Sequence, residues 1–205
     1  MAAVPPESEI GMILEQTPHT MFITISRYAA AALNQVAVSH LFQHAVPLLW
    51  VDADPEANPE NFEAGGQLSG MIPLRMPVYH GMRVHLTRNM NKEIDFVNGM
   101  EATVLQAYRS GAIKVRTKTG YPVSVFPWTD PETRVSFLPM RAGYACTLAK
   151  MQGATLDHVT VYLDKAGIEA AAYVALSRVR KDADWQYVGD PQVGHFVPAD
   201  YWHEL

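Results

Sequence analysis

The sequence predicts an α/β fold, a parallel sheet layered with helices, interrupted in chain order by a small antiparallel β unit. Three observations carry this. An apolar, β-branched run, TMFITIS (20–26), passes directly into an alanine-rich stretch of helical spacing. The same strand-then-helix texture returns after Arg134. Between the two lie short alternating runs separated by Asn98-Gly99, Ser110-Gly111 and Thr119-Gly120, the punctuation of closely spaced hairpins.

The elements follow in order. In RYAAAALNQVAVSHLFQ (27–43), Ala30, Leu33, Ala37 and Leu41 recur at three- or four-residue spacing, so a helix follows the first strand. LLWVDAD (48–54) reads as the next strand, and 55–70, rich in Pro, Gly, Asn and Glu, as an exposed loop. MRVHLTR (82–88), ATVLQAY (102–108), AIKVRTK (112–118) and PVSVFPW (122–128) form the antiparallel unit. Alternation in AIKVRTK places Lys114, Arg116 and Lys118 on one face, with Ile113, Val115 and Thr117 on the other. VSFLP (135–139) is a strand and GYACTLAKMQG (143–153) a short helix closed by a glycine. HVTVYLD (158–164) is a strand, EAAAYVALSRV (169–179) a helix and WQYVG (185–189) a strand.

Of the 205 residues, 48% are hydrophobic and 18% charged, the balance of a globular chain with a sizeable core. The first ten residues lack the basic and apolar blocks of a signal peptide, and no apolar run is long enough to span a bilayer. A soluble, intracellular protein is expected, with nucleus, mitochondrion and cytoplasm left undistinguished. Cys146 is the only cysteine, which excludes an intrachain disulfide and a Cys-based zinc site.

The net charge of −5 conceals an uneven distribution. Eight acidic residues and one basic residue, Arg27, precede Gly70, whereas Arg83 to Lys118 holds seven Lys/Arg against Glu93, Asp95 and Glu101. A local basic face suited to nucleic acid is therefore open to the chain, beside the plainer reading of a solvated mixed-charge surface.

No G-x-x-x-x-G-K-[ST] loop occurs and no glycine is followed by lysine, so the backbone cradle for β- and γ-phosphates is missing. The chain alone is not expected to hydrolyse a nucleotide. LLWVDAD and HVTVYLD each end an apolar strand in aspartate, as magnesium-holding strands do, but capping aspartates on buried strands are the favoured reading. His40 with His44, and His80 with His85, lack the third ligand of a metal site, and no metal site is expected.

Three runs occur in order: LTRNMNKEIDFVNGMEATV (86–104), MRAGYACTLAKMQGATLDHVTVYLD (140–164) and AAYVALSRVRK (171–181). Together they resemble the carboxy-terminal half of superfamily 1 DNA helicases of the PIF-type and RecD-like group. The resemblance implies a second RecA-like domain (20–81 and 135–190) with an inserted small β-barrel (82–134). An N-terminal extension (1–19) and a C-terminal tail (191–205) flank it.

In such helicases ATP and magnesium sit between two RecA-like domains, and the first brings the phosphate loop, metal ligand and water activator. The resemblance makes Arg178 the arginine finger that meets the γ-phosphoryl group from across the cleft. It puts Gln152, Gly153 and Arg27 near ATP, and Thr147, Lys150, Arg88 and Asn89 near DNA. Arg116 joins the DNA set from the basic face, and Tyr108 and Trp128 are either stacking platforms for single-stranded DNA or core-packing aromatics. Ala149 stands where the family usually has His, Met151 where it has Ser, and Glu101-Ala102 departs from the VNG run. Two side chains able to bond phosphate oxygens are thereby replaced. The implied activity is ATP-driven 5′-to-3′ unwinding, with single-stranded DNA and a missing first RecA-like domain as partners. The rival reading is a non-catalytic nucleic-acid-binding or interaction module derived from a helicase.

Overall fold

The structure is a computed structural model and describes residues 4–63, 66–151 and 153–199. Helix α1 (Glu7–Gln16) precedes strand β1 (Met21–Thr24) and helix α2 (Arg27–Leu41). Strands β2 (Leu49–Ala53), β3 (Leu74–Val78), β4 (Arg83–Leu86), β5 (Glu101–Ala107), β6 (Ile113–Thr117) and β7 (Pro122–Val125) follow. Two-residue strands β8 (Trp128–Thr129) and β9 (Ser136–Phe137) lead to β10 (Met140–Ala142) and β11 (Ala145–Thr147). The chain continues through β12 (Val159–Tyr162), α3 (Ala171–Leu176) and β13 (Trp185–Tyr187). Its contacts divide it into two compact units, one of Met1–Ala37, Ala64–Gly66 and Ala145–Leu205, the other of Val38–Glu63 and Gln67–Tyr144.

The first unit is built on a parallel sheet in the order β11-β1-β12-β13. Its register pairs Thr24 with Thr147 on one side of β1 and with Tyr162 on the other. Every residue of β1 and β12 is buried, which is why their sequences read as continuous apolar runs rather than alternating ones. Met21, Ile23, Cys146, Val159, Val161 and Leu163 form the core with Ala172 and Ala175 of α3. The edge of β11 is closed by a side chain: Asn34 Nδ2 donates to the Ala145 carbonyl and Oδ1 accepts from the Ala145 amide, both at 2.9 Å. Helix α1, which the sequence pattern did not single out, buries Ile10, Ile13 and Leu14 at i, i+3, i+4 spacing and carries Glu7 and Glu9 in its first turn, where they complement the helix dipole.

The expected helix at 143–153 is corrected. Ala145–Thr147 is a strand, and a 3-10 turn over Leu148–Met151 follows it. Ala, Leu and Lys favour helix locally, but strand pairing with β1 buries Ala145 and Cys146 completely and overrides that preference.

The second unit contains an antiparallel sheet in the order β10-β4-β5-β6-β7. Ile113, Val115 and Thr117 are buried while Lys114 and Arg116 face outward, as alternation requires. Gly143 follows β10 because a Cβ there would lie 2.9 Å from the backbone carbon of Val84, inside any real contact.

LLWVDAD forms strand β2, but it pairs antiparallel with β3 in a two-stranded sheet instead of extending the parallel one. The strand expected at 135–139 shortens to Ser136–Phe137, in a hairpin with Trp128–Thr129. The loop after β2 is not uniformly exposed: it makes two 3-10 turns and buries Asn58 and Asn61. Asn61 Nδ2 donates to the carbonyls of Pro55 (2.9 Å) and Ile72 (2.8 Å), pinning the loop from inside. A parallel sheet plus antiparallel sheets agrees with the α/β class expected from the sequence. Among the described residues, no helix is long and apolar enough to cross a membrane.

Candidate functional site

Helix α3 turns Ala171, Ala172 and Ala175 toward the core and leaves Tyr173 76% exposed. Small side chains let it lie close on the sheet, and the helix stops one residue before Ser177. Arg178 follows, half-buried, with its guanidinium folded back on the helix end. Its Nε donates to the Val174 carbonyl (2.9 Å), Nη1 to the Met151 carbonyl (3.3 Å) and Nη2 to Ser177 Oγ (2.8 Å). Val174 is in the last turn, where carbonyls lack helical partners and the dipole favours a cation. The backbone of Arg178 is fixed as well, its carbonyl accepting from the Leu156 amide at 2.8 Å. Met151, Leu156 and the ALSR run are thus one bonded assembly.

Within that assembly Thr147 is the last residue of β11 and 9% exposed, Lys150 is exposed in the 3-10 turn, and Leu148 and Met151 pack on the core. Ala149, at the position of a family histidine, is exposed. Gly153 turns the chain at φ 78°, a left-handed conformation that favours glycine. Gln152 lies outside the described residues.

Arg27 is the first residue of α2 and exposed, one position past Ser26, whose Oγ accepts from the Ala29 amide (3.1 Å) as the helix cap. Asp164, the aspartate ending HVTVYLD, is 5% exposed, and its Oδ1 accepts from the amides of Ile25 (2.8 Å) and Ser26 (3.0 Å). Its carboxylate thereby holds the β1–α2 turn. Burial first, and the Asp164 charge second, push the nearby Tyr162 phenol up to about 12. Because β11, β1 and β12 run parallel and in register, Thr147, the Ser26-Arg27 turn and Asp164 all lie at the carboxyl end of the sheet, where open α/β sheets bind ligands. Ser26, Asp164 and Ser177 were not assigned from sequence. Asp164 carried a strand-end signal, while the two serines stand out only once their hydroxyl partners are known.

Arg88, Asn89 and Arg116 belong to the second unit. Arg88 Nη1 donates to Asp54 Oδ2 (2.9 Å) and to the Thr87 carbonyl (2.8 Å), and its guanidinium lies 4.9 Å from the Trp128 ring centre and 5.2 Å from that of Phe137. Asp54 is 1% exposed and also accepts from Thr87 Oγ1 (2.7 Å) and from the Glu56 amide (2.9 Å). Arg88 thus lies against Trp128 and Phe137, with 30% of its side chain left exposed. Asn89 is exposed and accepts from the Asn98 amide at 2.9 Å. Arg116 is exposed beside Lys114 and Lys118, and Phe126, Tyr121 and Tyr108 are exposed at 61%, 48% and 36%. Among the described residues, no three His, Cys, Asp or Glu side chains are grouped so as to hold a metal ion.

No family model matches the chain. Among curated proteins it is 30% identical over 161 residues to the human ATP-dependent DNA helicase PIF1, a match covering 69% of this chain and 24% of that one. It is 35% identical over 117 residues to ATP-dependent DNA helicase Pif1 of Bdellovibrio bacteriovorus, covering 49% and 26%. Among solved structures it superposes with TM-score 0.63 on a Pif1 helicase studied at forked double-stranded DNA (18% identity; 94% of this chain, 45% of that one). Pif1 from Bacteroides, in complex with ADP-AlF3 and single-stranded DNA, gives 0.61 (19%; 86% and 42%). Pif1 from Candida albicans gives 0.58 (19%; 90% and 48%). At these identities the structural matches speak for the fold alone, one consistent with a RecA-like domain. The chain spans about a quarter of the length of the curated relatives and under half of these solved ones. The homologues of this chain are PIF1 helicases of superfamily 1, each matched over only part of its length.

Proposed function

We propose that this chain is the second RecA-like domain, with an inserted small barrel, of an ATP-driven 5′-to-3′ DNA helicase. The proposed domain takes 20–81 and 135–190, and the inserted barrel takes 82–134, which holds strands β4 to β7 of the antiparallel sheet. The observation that carries the reading is the Arg178 dock. Among the described residues, three of the guanidinium's five N–H donors are used, leaving by count one on each terminal nitrogen for an oxyanion. A guanidinium already held in place stabilises charge developing on a γ-phosphoryl group without reorganising at the moment of reaction.

The division of labour follows from what the chain lacks. With no phosphate loop in its sequence, it depends on a first RecA-like domain for the phosphate cradle, the magnesium ligand and the attacking water. Arg178 acts as the finger, and Arg27, Gln152 and Gly153 approach the nucleotide from this side. Thr147 and Lys150 contact the strand phosphates. Arg88, Asn89 and Arg116 add contacts from the barrel, Arg88 while paired with Asp54. ATP and magnesium serve as substrate and metal only in the assembled enzyme, and single-stranded DNA is the track.

A second reading has its own support: Ala149 and Met151 replace two phosphate-bonding side chains, which suits a binding module without ATP chemistry. The test is unwinding of a tailed duplex by this chain combined with a first RecA-like domain. The proposal expects ATP-dependent unwinding of the 5′-tailed substrate and none of the 3′-tailed one. Strand binding without any unwinding favours the module.

A further inference from the structure

Ser177 is exposed and sits between the helix and the arginine, yet both capacities of its hydroxyl are engaged. Oγ donates to the Val174 carbonyl (2.9 Å) and accepts from Arg178 Nη2 (2.8 Å). The Val174 carbonyl in turn accepts from Arg178 Nε (2.9 Å), so carbonyl, hydroxyl and guanidinium close a small ring of hydrogen bonds. Nη1 then extends to the Met151 carbonyl in the TLAKM segment. An arginine carries large rotamer freedom, and a side chain past a helix end has little packing to limit it. Here two acceptors, the Val174 carbonyl in α3 and Ser177 Oγ at its end, restrict that freedom and aim the third bond at Met151.

We infer that Ser177 is a positioning residue for Arg178: its hydroxyl locks the guanidinium in the orientation that ties α3 to the TLAKM segment and leaves the terminal N–H pair for a phosphoryl oxygen. This rests on the reading of Arg178 as the finger, and extends it to regulation of the same site. Because the Met151 carbonyl follows Lys150 by one residue, displacement of that turn by a strand pulls on the guanidinium directly. Strand contact and phosphoryl stabilisation are therefore linked through Ser177 and Arg178. Ser177 itself meets neither ligand.

The test compares Ser177→Ala with Ser177→Thr, which keeps the hydroxyl. In the 205-residue chain, nitrogen-15 NMR of the Arg178 side chain reads rotation of the guanidinium about its Nε–Cζ bond. Slow rotation is expected in the native chain and the Thr variant, and fast rotation in the Ala variant, with the backbone spectrum of α3 retained. Equal rotation in all three overturns the positioning role.

With a first RecA-like domain and single-stranded DNA added, Ser177→Ala should lower kcat by about tenfold, the size of one charge-assisted hydrogen bond, leave KM for ATP within about twofold, and be restored by Thr. If Arg178→Ala abolishes turnover but Ser177→Ala does not change kcat, Ser177 has no positioning role and the finger stands. If the mixture shows no turnover, or Arg178→Ala leaves it unchanged, the finger reading falls, and the NMR comparison alone decides whether Ser177 holds the arginine.

Discussion

Asp164→Ala gives a quantitative test of the turn that carries Arg27. The carboxylate is 5% exposed and one of its oxygens accepts two amides, Ile25 at 2.8 Å and Ser26 at 3.0 Å. Alanine leaves both donors without that acceptor. Ser26 is 4% exposed, so its amide has no route to water, whereas Ile25 is half-buried and recovers part of its loss. An orphaned buried donor costs about 1–3 kcal/mol, which puts the pair at about 3 kcal/mol. Asparagine keeps an acceptor oxygen in place and loses only the charge, so about 1 kcal/mol is expected, since charge-assisted bonds are roughly twice as strong as neutral ones. At a urea slope of about 2–3 kcal/mol/M, the midpoint should fall by about 1 M for Ala and by less than half that for Asn. Hydrogen exchange at Ile25 and Ser26 should accelerate in the Ala variant ahead of the β12 amides. An Ala variant within about 0.5 kcal/mol of native, or an Asn variant as damaging as Ala, refutes the capping account.

Other expectations concern the remaining polar supports. Asn34→Ala removes the partner of both the amide and the carbonyl of Ala145, itself fully buried, and should cost about 2–4 kcal/mol in urea unfolding, with Asp intermediate because it keeps only the acceptor. His158 hydrogen-bonds Thr20 Oγ1 (2.8 Å) and has a lowered pKa, chiefly from burial and then from His19, against an opposing effect of Asp184. The unfolded chain therefore takes up the proton first, so stability present above about pH 6.5 is lost as pH falls below it, and His158→Gln should flatten that slope in urea titrations between about pH 7 and 5. Arg88→Met removes the charged partner of Asp54, whose bonds from Thr87 Oγ1 and the Glu56 amide remain, and should cost about 1–3 kcal/mol. Replacing Lys114, Arg116 and Lys118 by Gln should instead leave stability within about 0.5 kcal/mol. The same triple change should make the salt dependence of single-strand binding shallower by about 2 in log-log slope; an unchanged slope removes this face from the DNA track.

The sequence was most readable where local preference and tertiary environment agree. β1 and β12 are buried on both faces, so their β-branched runs are uninterrupted, and β6 has one wet face, so Lys114 and Arg116 alternate with Ile113 and Val115. Around Cys146 the two disagree: helix-forming residues are drawn into a strand by pairing with β1. Periodicity announced β2 as a strand but contains no information on its partner, and Leu74–Val78 claimed it in place of the parallel sheet. The buried Asn58 and Asn61 looked like loop composition because an asparagine that satisfies backbone carbonyls internally has the same letter as one that meets water. For the site, the ALSR run and TLAKM segment were visible as motifs, and the structure joins them through Arg178 and Met151. The roles of Ser177 and Asp164 depend on which oxygen meets which nitrogen, and that is set by packing rather than by spacing.

On the proposed reading this chain holds the trans half of an ATP site. This is tested most directly by DNA-stimulated ATP hydrolysis, measured on the 205-residue chain alone, with a first RecA-like domain, and with that domain and Arg178→Ala. No turnover is expected from the chain alone, turnover from the combination, and a loss of about a thousandfold or more with the alanine variant. Hydrolysis by the chain alone, or a combination indifferent to Arg178→Ala, would contradict that reading.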